Sequence, residues 1–124
     1  MTIALWCVLA VALIPYGAAL IAKRSRDFDN RNRREWLAKQ DGKRARANAA
    51  QLNTFEAFPF FAAAVIIAHL LRGPQALVDL LGLAFVLLRV VYVFFYVTDR
   101  PTLRSLTWAA GFACVVAIFV IAAI

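Results

Sequence analysis

Asn53 and Glu56 stand three residues apart in a largely apolar run, which puts an amide and a carboxylate on one face of a helix. Arg46 lies seven residues before Asn53, two turns away on the same face. Arg89, Tyr92 and Tyr96 share a face of a later apolar run at i, i+3 and i+7, and Arg104 and Ser105 open another, with Trp108 one turn beyond Arg104. Charged groups inside such runs are costly in a membrane and face a bundle interior, a cavity or one another. Several guanidinium groups with one carboxylate leave excess positive charge. The chemistry they point to is capture of an anion, because the planar guanidinium fork pairs bidentately with carboxylates. The bland reading of the same residues is structural. It has an interhelical Glu56–Arg89 ion pair, an Arg104 that snorkels to the headgroups and tyrosines in an aromatic belt. His69 has no partner at metal-ligand spacing, so no metal site is expected, and Asp79 is expected to face water or a neighbouring subunit.

The elements that carry these residues follow from composition. Of the 124 residues 64% are hydrophobic, more apolar surface than a soluble domain of this size can hide. The mean hydropathy of +0.74 points the same way. A spanning helix needs roughly 20 mostly apolar residues. The chain divides into four such spans, at about 3–22, 43–71, 75–97 and 103–124, with a polar loop over 23–42. The expected fold is all-α, an integral-membrane four-helix bundle forming one domain over 1–124. Pro15 is expected to kink the first span, and Asp41-Gly42 to form a turn and an N-cap. Arg72-Gly73-Pro74 and Thr98-Asp99-Arg100-Pro101 are breaks between spans. Cys7 and Cys114 both lie inside apolar runs and read as packed, free thiols.

Ten of the fourteen Lys and Arg fall between Lys23 and Arg46, against four acids there, so this stretch alone carries +6 of the net +7. A basic run between membrane spans follows the positive-inside rule, and no nucleic-acid partner is expected. The stretch around Arg31, Arg33, Arg34, Glu35 and Trp36 reads as a short interfacial helix. Lys23 and Arg24 directly after the first span read as a stop-transfer anchor rather than a cleaved signal. The basic loop is expected on the cytoplasmic side, with both termini and the Arg72 turn opposite. The second, third and fourth spans all bring their polar residues toward that cytoplasmic end. One pocket there is expected to gather Arg46, Asn53, Glu56, Arg89, Tyr92, Tyr96, Arg104 and Ser105.

At these residues the chain resembles the MAPEG family, the membrane-associated proteins in eicosanoid and glutathione metabolism. Arg46-Ala47-Asn48-Ala49-Ala50-Gln51-Leu52-Asn53-Thr54-Phe55-Glu56-Ala57-Phe58-Pro59 is similar to the family pattern Arg-Ala-x-x-Ala-His/Gln-x-Asn-x-x-Glu-x-x-Pro. Arg89-Val90-Val91-Tyr92 with Tyr96, and Arg104-Ser105-Leu106-Thr107-Trp108, resemble the motifs of the third and fourth spans. The resemblance covers nearly the whole chain. It implies a homotrimer with a glutathione site between neighbouring subunits, open to the cytoplasmic side. Asn53 and Glu56 would hold the polar backbone or amine of glutathione, and Arg89, Tyr92 and Tyr96 its carboxylates and peptide groups. Arg104 would stabilise the thiolate, and Ser105 would donate to the sulfur. Several glutathione-using members carry an Arg four residues before the Asn, where this chain has Ala49.

Two activities follow from the resemblance: conjugation of glutathione to lipophilic electrophiles, and reduction of lipid hydroperoxides. Both pair a water-borne thiol with a membrane-borne substrate. The alternative is a non-catalytic lipid-binding or scaffold protein of the same fold, which Ala49 favours. A small four-span exporter ranks below both, because the first span lacks a proton-coupling carboxylate. The positive-inside rule yields a direct expectation. Reporter fusions at the C-terminus should report a non-cytoplasmic end, and a cytoplasmic C-terminus would overturn the assigned orientation.

Overall fold

A computed structural model describes residues 1–124. Five helices follow in order: α1 (Ile3–Ala22), α2 (Arg33–Ala38), α3 (Gly42–Leu70), α4 (Gln75–Val97) and α5 (Pro101–Ala122). α1, α3, α4 and α5 are each long and apolar enough to cross a membrane. The chain is a multi-pass integral membrane protein. Only 25 of 124 residues are buried within the chain. The outer surface is apolar instead, with Leu20 73% and Leu87 67% exposed, which suits contact with lipid tails.

The helix ends explain where the spans stop. α3 and α4 both close in a Schellman turn. In the first, Gly73 N–H donates to the Ala68 carbonyl at 2.9 Å and Arg72 N–H to that of His69 at 3.2 Å. In the second, Arg100 N–H donates to Phe95 at 2.9 Å and Asp99 N–H to Tyr96 at 3.2 Å. The left-handed position is filled by Arg72 (φ 56°) and Asp99 (φ 58°), not by glycine. A proline follows each turn and prevents the helix from continuing; Pro101 sits at the start of α5, so this helix begins two residues earlier than the hydropathy alone places it. Asp41 does occupy the N-cap position of α3, but its side chain makes no capping bond, and the chain enters that helix through Gly42 at φ 54°. α1 runs through Pro15 as one continuous helix, with the ring buried in the bundle.

α1 packs along α3, and α4 along α5, with α1–α4, α3–α4 and α3–α5 contacts closing the bundle. Small residues let the backbones approach, as membrane helices require when no hydrophobic force draws them together. Ala4, Cys7, Ala64, Ala68 and Gly82 lie in this packing, and Phe61 stacks on Phe85 with centroids 4.2 Å apart at the centre. Asp79 departs from its expected placement. Its carboxylate accepts from the Ala4 backbone N–H at 2.7 Å and from the Gln75 side chain at 2.7 Å. An orphan donor of the first turn of α1 is thereby satisfied from α4 rather than by water. At the other end α2 docks through Leu37, which is buried against Ala22, Ala47 and Val97. In the preceding loop the Ser25 hydroxyl donates to Asp27 and holds that carboxyl below the usual carboxylate range.

Gly82 sets how closely α1 and α4 approach, because a Cβ there would stand 3.4 Å from the Ala4 Cα and 3.5 Å from its Cβ. Gly82→Ala should therefore be tolerated. Gly82→Leu should destabilise the bundle by about 1–3 kcal/mol through overpacking, read as a lowered midpoint of thermal unfolding in detergent.

Candidate functional site

α3, α4 and α5 bring five of the anticipated residues into one continuous chain of contacts. Arg89 is 3% exposed, and its Nη1 donates to Asn53 Oδ1 at 2.9 Å across the α3–α4 interface. The Arg89 guanidinium lies over the Tyr92 ring at 4.6 Å and over Phe85 at 5.5 Å. Tyr92 meets Tyr96 edge to face at 5.6 Å. The Arg104 guanidinium in turn covers the Tyr96 ring at 4.3 Å. The line Asn53–Arg89–Tyr92–Tyr96–Arg104 thus joins two cations through aromatic faces. A cation over a ring is attracted by the ring quadrupole, which eases desolvation without neutralising the charge.

A cavity of about 170 Å³ opens beside this line. Asn53, Glu56 and Arg89 form its polar end, and Phe60, Phe85, Trp108 and Phe112 its apolar walls. Trp108 and Phe112, one turn apart on α5, stack within 3° of parallel at 5.5 Å. Glu56 is exposed on the single chain and reaches no cation: the one salt bridge in the chain is Lys39–Glu35, at the end of α2. The structural Glu56–Arg89 ion pair is therefore not formed. Arg89 bonds instead to the neutral amide of Asn53, so its charge keeps no acidic partner within the chain.

Two anticipated residues stand apart from the line. Arg46 donates from Nε to the Val97 carbonyl at 3.3 Å, so it caps the C-terminal end of α4, where a cation is favoured. Ser105 is exposed on α5, and its hydroxyl makes no hydrogen bond within the chain. Ala49 is half-buried and brings no polar group to the site. The walls Phe60, Phe85 and Phe112 were not singled out from the sequence. Phenylalanine recurs among the exposed and core positions of α3, α4 and α5, and only their position beside Arg89 distinguishes these three.

The MAPEG family model matches residues 3–124, essentially the entire chain. The chain belongs to the MAPEG family. No curated protein and no solved structure matches it. For a MAPEG protein the arrangement has a clear chemical sense. The polar end of the cavity offers donors to an anion and one carboxylate to a cation, while the remaining walls accept an apolar group. No cluster of His, Cys, Asp and Glu forms a candidate metal centre.

The Arg89–Asn53 bond makes a testable demand. Asn53→Leu removes the acceptor and leaves a buried guanidinium without a hydrogen bond from the protein, which should cost about 1.5–3 kcal/mol. Thermal unfolding of the purified protein in detergent should show the loss, whereas Glu56→Gln, at an exposed position without an ion pair, should leave stability nearly unchanged.

Proposed function

We propose that this MAPEG protein is a membrane-bound, glutathione-dependent transferase or peroxidase that acts on lipophilic electrophiles or lipid hydroperoxides. The observation that carries the reading is the pair of guanidinium groups, Arg89 and Arg104, joined through Tyr92 and Tyr96 beside an apolar cavity and lacking an acidic partner. Glutathione carries two carboxylates, an ammonium group and a thiol. Arg89, with Asn53, suits a carboxylate or peptide group, and the free carboxylate of Glu56 suits the ammonium group. Tyr92 and Tyr96 hold both arginines in place and offer hydroxyls to the peptide. Arg104 stands toward the start of α5 and takes the sulfur.

A thiol attacks poorly until it loses its proton, and a nearby cation favours the thiolate. Arg104 performs that role, and Ser105 supplies a second donor to the sulfur when a neighbouring subunit closes the site around it. In conjugation, the thiolate forms a carbon–sulfur bond with the electrophile while the leaving group or the opened ring takes the electron pair. In hydroperoxide reduction, two thiols become a disulfide and the hydroperoxide becomes an alcohol and water. The walls at Phe60, Phe112 and Trp108 receive the lipophilic partner from the membrane. The reading includes a homotrimer in which the site is shared between subunits, and it places the basic loop on the cytoplasmic side, from which glutathione enters.

The second reading, a non-catalytic lipid-binding protein of the same fold, draws on Ala49. That position holds a methyl group where several glutathione-using members carry a cation, and Arg46, one turn earlier, is engaged with the Val97 carbonyl.

Purified trimer, verified by native mass spectrometry, should bind glutathione and turn over a generic electrophile. Arg104→Ala should cut turnover by about 10²-fold or more, as loss of one electrostatic donor does, while changing affinity little. Arg89→Ala and Glu56→Ala should mainly weaken binding. The pH dependence of thiolate absorbance should move upward in Arg104→Ala. An unchanged profile with unchanged turnover would overturn the role of Arg104, and absence of glutathione binding at millimolar concentration would leave the lipid-binding reading in place.

A further inference from the structure

The cavity beside Arg89 ends inside the chain. Trp108, Phe112 and Val115 line one wall at i, i+4 and i+7, so they follow one face of α5 inward. Trp108 stands one turn beyond Arg104, and Val115 lies seven residues further, about 10 Å along the helix axis. Phe85 and Val115 close the inner end, and they are only 1% and 5% exposed. A single subunit therefore builds this end, whatever packs against the outer walls at Phe60 and Phe112.

Phe85 is held from three sides. Its ring stacks on the buried Phe61 at 4.2 Å, within 10° of parallel. On α5 it rests against Gly111, where a Cβ would stand 3.6 Å from Phe85 Cε2 and 3.7 Å from Cδ2. One turn along α4, the Arg89 guanidinium lies 5.5 Å from the ring centroid. A ring packed in this way has little free volume to swing into, because protein interiors are close-packed. Phe85 is a fixed stop rather than a flexible wall. The space in front of it is about 170 Å³. A dry apolar cavity of about 150 Å³ takes up benzene, so this one accommodates one six-membered ring or a chain of roughly six carbons.

We infer that Phe85 sets the length of the lipophilic group the site accepts, and that the electrophile presents a compact group, a single ring or a short chain, rather than a full acyl chain. This holds with glutathione bound as proposed above, its sulfur at Arg104, so that the apolar group descends past Trp108 and Phe112 and stops at Phe85. Conjugation of compact electrophiles is thereby favoured over reduction of long-chain hydroperoxides. S-alkylglutathiones carry the same thioether link as a conjugation product, so they measure the depth of the cavity without turnover.

The test is calorimetric titration of the purified full-length protein with glutathione and with its S-methyl, S-butyl, S-hexyl and S-decyl derivatives. Affinity should rise about fourfold per methylene up to hexyl, as burial of each CH₂ provides, and change less than twofold from hexyl to decyl. Phe85→Leu, checked for fold by circular dichroism, should carry the rise onward, so that decyl binds at least tenfold tighter than hexyl. A uniform loss across the series from a less firmly held Arg89 leaves that ratio untouched. In the unaltered protein, an S-hexyl derivative ending in a photoreactive diazirine should label Phe85 or Val115. A rise that runs unbroken to decyl in the unaltered protein would overturn the inference. So would an unchanged break in the folded variant, or labelling confined to residues away from the inner end, which decides the matter even if Phe85→Leu fails to fold. Failure of glutathione itself to bind is a separate outcome, and it would overturn the glutathione-dependent reading together with the inference drawn from it.

Discussion

A guanidinium group taken out of water must find acceptors for its donors, and Arg89, 3% exposed, finds one in Asn53 at 2.9 Å. That single bond crosses from α4 to α3 and fixes the register of the two helices. Phe85 and Tyr92 then lie one turn on either side of Arg89 and offer their ring faces to its charge. The Phe85 ring is held in turn by stacking on Phe61 at the centre of the bundle. Tyr92 passes the arrangement on to Tyr96 and Arg104. The core and the candidate site are therefore one construction, in which the same aromatic side chains fill space and carry charge. A neutral amide as the partner of Arg89 leaves its positive charge without an acidic partner in the chain.

The four spans and their breaks were legible in the sequence because lipid is an unforgiving solvent: each span must be about 20 apolar residues, and each turn must close its backbone bonds. Gly73-Pro74 and Arg100-Pro101 mark those turns. The left-handed residue of each turn was not legible: Arg72 has no special claim to positive φ and Gly73 falls one position later, while Asp99, though of a type that tolerates that region, sits in a Thr98-Asp99-Arg100 stretch that does not single it out. The line from Asn53 to Arg104 was legible from helical spacing. Its spacing could not separate Gln51 and Asn48 from Asn53 and Glu56, because a helix with polar residues on two faces gives no clue to which neighbour each face meets. Asp79 was misread for a related reason: a carboxylate near a span end looks solvated until the N-terminus of another helix is brought against it.

Two faces of α3 thus carry two different kinds of polar group. Asn53 and Glu56 look toward α4 and α5, and Gln51 and Asn48 toward α1 and the basic loop. α3 is also the longest helix, 29 residues against 20 for α1, and its extra turns carry Arg44 and Arg46 beyond the apolar run. Arg44 reaches Gln40 at 3.1 Å, and Arg46 the end of α4 at 3.3 Å, so this extension braces the loop and the bundle at one end. Bracing of this kind holds α2, with Arg33 and Arg34, at a fixed height relative to the spans.

The bond from Asp79 to the Ala4 N–H spans 75 positions of the chain. A ribosome adds about 5–20 residues per second, so roughly 4–15 s separate the synthesis of the donor from that of its acceptor. Until Asp79 is made, the first turn of α1 keeps an open backbone donor, with only water or headgroups to bond with. Arrival of α4 closes that end. Folding thus has a built-in order: the N-terminal tip of α1 becomes fixed only once the third span has joined it.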